Sequence, residues 1–175
     1  MDLIIRRAEI DEMPVAMELL REAAVWLRDK SVDYWQDWHM PPPMFVEWIA
    51  SGFRRGEFYF VYDGAALVGM YRLQYADEMF WGARQDKAGY LHSFTTKREF
   101  AGRGIGAAML ARISAQLAGE GVEFLRLDCS PEIAGLCRYY EANGFVARGD
   151  VLTELTELTV PGVVVRLYEK RVGKA

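Results

Sequence analysis

The chain has 175 residues, 51% of them hydrophobic, and a formal net charge of −4 drawn from Asp, Glu, Lys and Arg mixed along its whole length. That length supports a single buried core without metals or disulfides, and the absence of a basic block that could neutralise phosphates argues against nucleic acid as a partner. The N-terminus MDLIIRRAEIDEM is charged within its first dozen residues, and no later stretch approaches the ~20 apolar residues that span a bilayer, so a soluble, unprocessed cytoplasmic protein is expected.

In chain order, Leu3, Ile4 and Ile5 begin a short strand, and Asp11 is positioned to cap a helix over 12–29 whose apolar stripe is Met13, Met17, Leu20, Ala24 and Leu27. A second helix is expected from the prolines Pro41 to Pro43 through Phe45, Trp48, Ile49 and Phe53, ending in the Gly52 to Gly56 region. Residues 57–62 and 66–75 are aromatic and β-branched runs separated by Asp63 and Gly64, the strongest short hairpin signal in the sequence. Residues 90–96 form a further strand, followed by glycines and a helix carrying Ile105, Met109, Ile113 and Leu117 on one face. Residues 123–129 read as a strand, 131–142 as a helix stopped by Asn143 and Gly144, and 145–151 and 163–171 as closing strands. No repeat or linker interrupts this order, so residues 1–175 are read as one α/β (α+β) domain with a mixed sheet and helices on both faces. Cys129 and Cys137 lie on either side of a strand-to-helix connection, with no second CxxC pair or histidine cluster. Both are read as free, buried thiols in a reducing compartment, and no metal is expected.

The stretch YLHSFTTKREFAGRGIGAAML, residues 90–110, carries the chemistry. A strand runs through a short basic turn into a helix whose first turn holds Gly102, Gly104 and Gly106. Amides at a helix N-terminus have no intrahelical partner and sit at the positive end of the helix dipole, so this turn suits a pyrophosphate, and glycine lets the phosphates approach the backbone. The Rossmann fingerprint needs its glycines at the first strand-to-helix turn. Asp128 lies at the right distance for its acidic residue, but this turn sits mid-chain after several antiparallel strands. A P-loop needs GK[ST] after the glycines, and none follows.

The run Ala101-Gly102-Arg103-Gly104-Ile105-Gly106 resembles the [Q/R]xxGx[G/A] motif of the GNAT N-acetyltransferases, with Ala101 standing where that family carries Gln or Arg. A second segment, LRLDCSPEIAGLCRYYEANGF, resembles the family motif in which a tyrosine precedes a Gly-Phe pair by four residues; Ile133 or Ala134 stands where relatives often carry asparagine. The resemblance extends over nearly the whole chain and implies a mainly antiparallel sheet of about seven strands with a splayed central parallel pair. It implies acetyl-CoA as co-substrate, cradled by the amides of Arg103, Gly104, Ile105, Gly106 and Ala107 with Gly102 beside them, its pantetheine pairing with the backbone of Phe94, Thr95 and Thr96. Tyr140 is then the acid that protonates the coenzyme A thiolate, while Tyr139 packs. A homodimer through the terminal strands is also in the family's habit.

On the acceptor side, direct transfer requires a neutral amine and therefore a base. His92 shares a strand face with Phe94 and Thr96 by period-two alternation, and some family members use a histidine on this strand, so it ranks ahead of the carboxylates Asp77, Glu78 and Asp128. Within the tryptophan-rich segment from Trp26 to Trp48, Tyr34, Trp35, Trp38 and His39 are candidate pocket residues, since aromatic faces beside carboxylates suit a cationic amine; the competing reading is that these rings pin a long loop to the core. Phe80 and Trp81 are candidates for the opposite wall. The function expected is N-acetylation of a primary amine, whether small molecule, amino acid or antibiotic. The alternatives are a protein or peptide N-terminal acetyltransferase, and a non-catalytic acyl-CoA sensor in which Tyr140 is idle.

Overall fold

Asp63 and Gly64 do close a hairpin. β2 (Phe58–Asp63) and β3 (Ala66–Gln74) pair antiparallel, and Gly64 adopts φ +60° at the turn, a conformation open to glycine at no steric cost. The computed structural model describes residues 2–153 and 163–173. β1 (Leu3–Arg7) pairs antiparallel with β2. β4 (Ala88–Thr96) runs parallel to β5 (Phe124–Cys129), and β7 (Val164–Arg171) lies antiparallel to both β5 and β6 (Val146–Leu152). The hydrogen-bonded order is β1-β2-β3-β4-β5-β7-β6, one mixed, mostly antiparallel sheet of seven strands, as the resemblance implied.

The chain divides into two compact units, Met1–Leu73 with Ser93–Met109, and Gln74–His92 with Leu110–Ala175. In the first, α1 (Met13–Asp29) and α2 (Pro43–Arg54) lay Ala16, Leu19, Leu20, Ile49 and Phe53 against Phe58, Phe60 and Met70 of the hairpin. Gly69 points to the other face of β3. A Cβ there would come within 2.6 Å of the Thr95 carbonyl oxygen and 3.0 Å of Met109 Sδ, at the start of α4 (Ile105–Gly119). Helices therefore cover both faces of this strand, because neighbouring residues of a strand point to opposite faces. Gly69→Ala forces backbone apart, and the variant is expected to lose about 1–3 kcal/mol of unfolding free energy, read from the urea midpoint. In the second unit, Trp81 of the one-turn α3 (Glu78–Trp81) packs with Ala88, Tyr90, Val165 and Leu167.

Two helix starts differ from the sequence expectation. Asp11 is not the cap of α1. It lies inside a 3₁₀ turn, Ile10–Glu12, closed by a reciprocal pair in which the Glu12 amide donates to the Glu9 carbonyl (3.0 Å) and the Glu9 amide donates to Glu12 Oε2 (2.9 Å). α1 then begins at Met13 rather than at residue 12. α5 (Ala134–Ala142) begins three residues later than expected, because Ser130 to Ile133 form a turn of their own, the Ile133 amide donating to the Ser130 carbonyl at 3.3 Å. Its C-terminus falls where Asn143 and Gly144 place it: Gly144 takes φ +84° and the Phe145 amide donates to the Tyr140 carbonyl at 3.1 Å. Cys129 and Cys137 are free and buried. Among the described residues no helix is long and apolar enough to cross a membrane.

Candidate active site

β4 and β5 are paired in parallel only at Ala88↔Phe124, Gly89↔Leu125 and Tyr90↔Arg126, yet β4 continues to Thr96 and β5 to Cys129. The side chains two residues past the last rung, on the face that carries Tyr90 and Arg126, are His92 and Asp128. His92 Nδ1 lies 4.0 Å from Asp128 Oδ1, and His92 Nε2 lies 3.2 Å from Oδ2 of Asp77, which stands just past the end of β3 at the start of α3. The three side chains are 12%, 15% and 7% exposed respectively. The Phe80 ring sits 6.2 Å from the imidazole. These residues offer ligand atoms within 4.8 Å of one another, but the imidazole turns opposite nitrogens to the two carboxylates. One imidazole nitrogen and one oxygen from each carboxylate are still close enough to face a common cation, and the same groups can take up or release protons.

Burial pushes the Asp128 carboxyl up from its ordinary 3.8 to about 6; the neighbouring imidazole opposes this and the Asp77 charge adds to it. The folded protein thus holds this proton more tightly than the unfolded chain does. The stability that goes with it is fully present below pH about 4 and is lost as pH rises through about 6. Asp128→Asn is expected to unfold later in urea than the native protein at pH 8, by on the order of 1–3 kcal/mol, with the difference shrinking at pH 4.

At the other motif, Gly102 and Gly104 take φ +76° and +73°, and an added Cβ would meet nothing within 4 Å at either position. Residues 101–104 are exposed, and the first bond of α4 is donated by the Ala108 amide to the Gly104 carbonyl at 3.0 Å. The amides of Gly104, Ile105, Gly106 and Ala107 therefore precede the helical ladder, while the Arg103 amide makes a long contact (3.4 Å) with the Phe100 carbonyl. An open turn with left-handed glycines and a row of unladdered amides fits a pyrophosphate. The Arg103 guanidinium stacks 5.3 Å from the Phe100 ring, which puts a cation beside the turn although Ala101 contributes none.

Upstream, Thr95 is buried with its carbonyl towards Gly69, and the Lys97 amide donates to Val68, so the backbone groups of Phe94 and Thr96 alternate to the side of β4 away from β3. There Arg98, stacked 4.7 Å over the Trp26 ring, donates to the Thr96 carbonyl from Nε (3.0 Å) and Nη2 (2.7 Å). The sequence reading missed Arg98, whose partner is only two residues away. Phe94 is left as the residue whose backbone groups face that side without such a clamp.

Tyr140, on α5, is 7% exposed and its ring lies 5.7 Å from Phe145 and 6.0 Å from Tyr168. Trp35 and Trp38 pack against the core of the first unit; Tyr34 stacks on Trp35 at 5.8 Å, and Trp38 meets Phe45 at 5.3 Å. His39 Nε2 is buried without a hydrogen-bond partner. Trp81 belongs to the core of the second unit, where its indole faces Tyr90 and the Arg126 guanidinium.

A mixed, mostly antiparallel seven-stranded sheet with one parallel pair is the fold of an acyltransferase class. The model of the Acetyltransferase (GNAT) family matches residues 16–145, and the chain belongs to that superfamily of N-acetyltransferases. An uncharacterized N-acetyltransferase, YesJ, of Bacillus subtilis (strain 168) is 28% identical over 141 residues, which cover 75% of this chain and 74% of that protein. A GNAT family acetyltransferase from Listeria monocytogenes 4b F2365 superposes with a TM-score of 0.75 at 24% identity, covering 97% of this chain and 94% of that one. The PaiA N-acetyltransferase of Thermoplasma acidophilum, solved in complex with coenzyme A, superposes at 0.62 with 18% identity, covering 98% and 99%. At these identities the two structures speak for the fold alone.

Proposed function

We propose that residues 1–175 act as one domain that transfers an acetyl group from acetyl-CoA to a primary amine of a small molecule, by direct attack with both substrates bound. The observation that carries this reading is the open glycine turn at the head of α4, whose unladdered amides suit the pyrophosphate of coenzyme A. Gly102 to Ala107 hold the phosphates, and within Phe94 to Thr96 it is the backbone of Phe94 that offers the strand edge to the pantetheine, the Thr96 carbonyl being taken by Arg98. His92 accepts the proton from the incoming ammonium. The amine nitrogen then bonds to the thioester carbonyl carbon, the carbon–sulfur bond breaks, the thiolate takes the Tyr140 proton, and the surplus proton on the new amide nitrogen passes to solvent, from which the Tyr140 phenolate is reprotonated, leaving an amide and coenzyme A. Two buried free thiols are in keeping with a cytoplasmic location.

Calorimetric titration with acetyl-CoA, with ATP and NADH as controls, tests the cradle. Micromolar binding of acetyl-CoA alone is expected, and no binding would reduce the glycine turn to a packing device. Tyr140→Phe tests the acid separately. Its kcat is expected to fall by about 10²-fold while acetyl-CoA affinity holds, because the phenol acts only as the thiolate leaves. Unchanged turnover would remove Tyr140 from the mechanism.

A further inference from the structure

Among the described residues, two carboxylates in the second unit, Asp77 and Asp128, share one imidazole, that of His92, as their ion-pair partner, with no lysine or arginine on either. The arginines nearest in sequence are engaged elsewhere: Arg126 with Asp86 and Glu169, Arg84 with the Trp81 carbonyl, and Arg72 with Glu57. Asp77 is 93% buried by its side-chain exposure of 7%, and its Oδ2, directed at the imidazole, accepts no hydrogen bond. Even with His92 protonated, the group of three carries one uncompensated negative charge in a buried place, a costly arrangement unless a cation arrives to complete it.

We infer that Asp77 and Asp128 select the acceptor, which is a cationic amine with no carboxylate on the carbon that bears the reacting nitrogen. The inference rests on the transferase reading above and narrows its substrate class. An ammonium group brings the missing charge to the Asp77–His92–Asp128 group, while the α-carboxylate of an amino acid would lie beside two carboxylates at low effective dielectric and be repelled. Phe80, 6.2 Å from the imidazole, offers a ring to the carbon skeleton next to the ammonium.

Matched pairs that differ only in the α-carboxylate test this: tyramine against tyrosine, tryptamine against tryptophan, and phenethylamine against phenylalanine. Each is assayed for thiol release from acetyl-CoA and, independently of turnover, titrated by calorimetry into the protein saturated with coenzyme A. The amine of each pair is expected to be favoured by ~10–100-fold in kcat/KM and in affinity. The ratio should fall towards unity in Asp77→Asn/Asp128→Asn, whose acetyl-CoA affinity and circular dichroism remain those of the native protein. Amino acids acetylated as well as their amines, or a ratio unmoved in the double variant, would overturn the inference and leave the transferase reading intact. Acetyl-CoA binding with no heat from any amine would overturn it too, and failure to bind acetyl-CoA at all would remove the transferase reading instead.

Discussion

His92→Ala is expected to lower kcat/KM for the acceptor amine by about 10²–10⁴-fold, the range over which a positioned general base acts, while the calorimetric affinity for acetyl-CoA stays within a factor of about two. The native pH–rate profile should show an acidic limb where the base becomes protonated, and that limb should vanish in the variant. The geometry explains why the loss is large. The imidazole lies 3.2 Å from Asp77 on one nitrogen and 4.0 Å from Asp128 on the other, so on the proposed function two carboxylates stand close enough to stabilise the imidazolium that forms. Asp77→Asn keeps the shape and removes the charge. It is expected to cost about 10-fold in kcat and to raise KM for a cationic amine as well, since Asp77 both neighbours His92 and faces the incoming ammonium. If His92→Ala retains both its rate and its acidic limb, the proton leaves by another route and the three residues are structural.

Which parts of this arrangement could be read in the sequence follows from the range of the interactions involved. Asp63 and Gly64, the stop at Asn143 and Gly144, and the glycine turn at 102–106 were legible because each is set by the backbone preferences of a few adjacent residues. The start of α1 was misplaced by one step of the same local logic, since Glu9 and Glu12 close a turn that leaves Asp11 outside the capping role. Asp77 and Asp128 stood out as polar residues at strand ends and His92 by the face it shares with Phe94 and Thr96, but their meeting depends on where β4 and β5 part, and pairing of strands distant in sequence is not encoded locally. Arg72 shows the limit most clearly. It sits in β3 fully buried, donating to Glu57 at 2.8 and 2.6 Å and to the Trp48 carbonyl at 3.0 Å, with the Trp48 ring 4.0 Å from its guanidinium. In a strand an arginine at that position reads as an outward-facing residue, and only the partners reveal otherwise.

Arg126 is the corresponding residue of the second unit, and Arg126→Met is expected to cost about 3–5 kcal/mol of stability, a fall of roughly 10 °C in Tm for a chain of this size. Its side chain is 2% exposed. Nε donates to Glu169 Oε2 at 2.8 Å, Nη1 donates to Asp86 and to the Tyr90 hydroxyl (3.0 Å), and Trp81 and Phe124 lie 4.9 and 5.1 Å from its guanidinium carbon. Burial draws its pKa down, but the bonds to Asp86 and Glu169 more than restore it, so the charge is kept. Methionine fills the volume and leaves Glu169, 8% exposed, with Arg148 as its remaining guanidinium partner among the described residues. The cost is therefore that of a buried charge stripped of its main partner, and Arg126→Met/Glu169→Met should be more stable than Arg126→Met alone when the two are compared by thermal unfolding. On the proposed function the position would bear on catalysis, because Tyr90↔Arg126 is the last paired rung of β4 and β5, and Arg126 ties that rung to β7 through Glu169. His92 and Asp128 follow two residues later on each strand, so the clamp fixes the point from which their separation is measured. If Arg126→Met proves as stable as the native protein, backbone pairing alone holds the parting strands, and the buried ion network contributes nothing to the placement of the base.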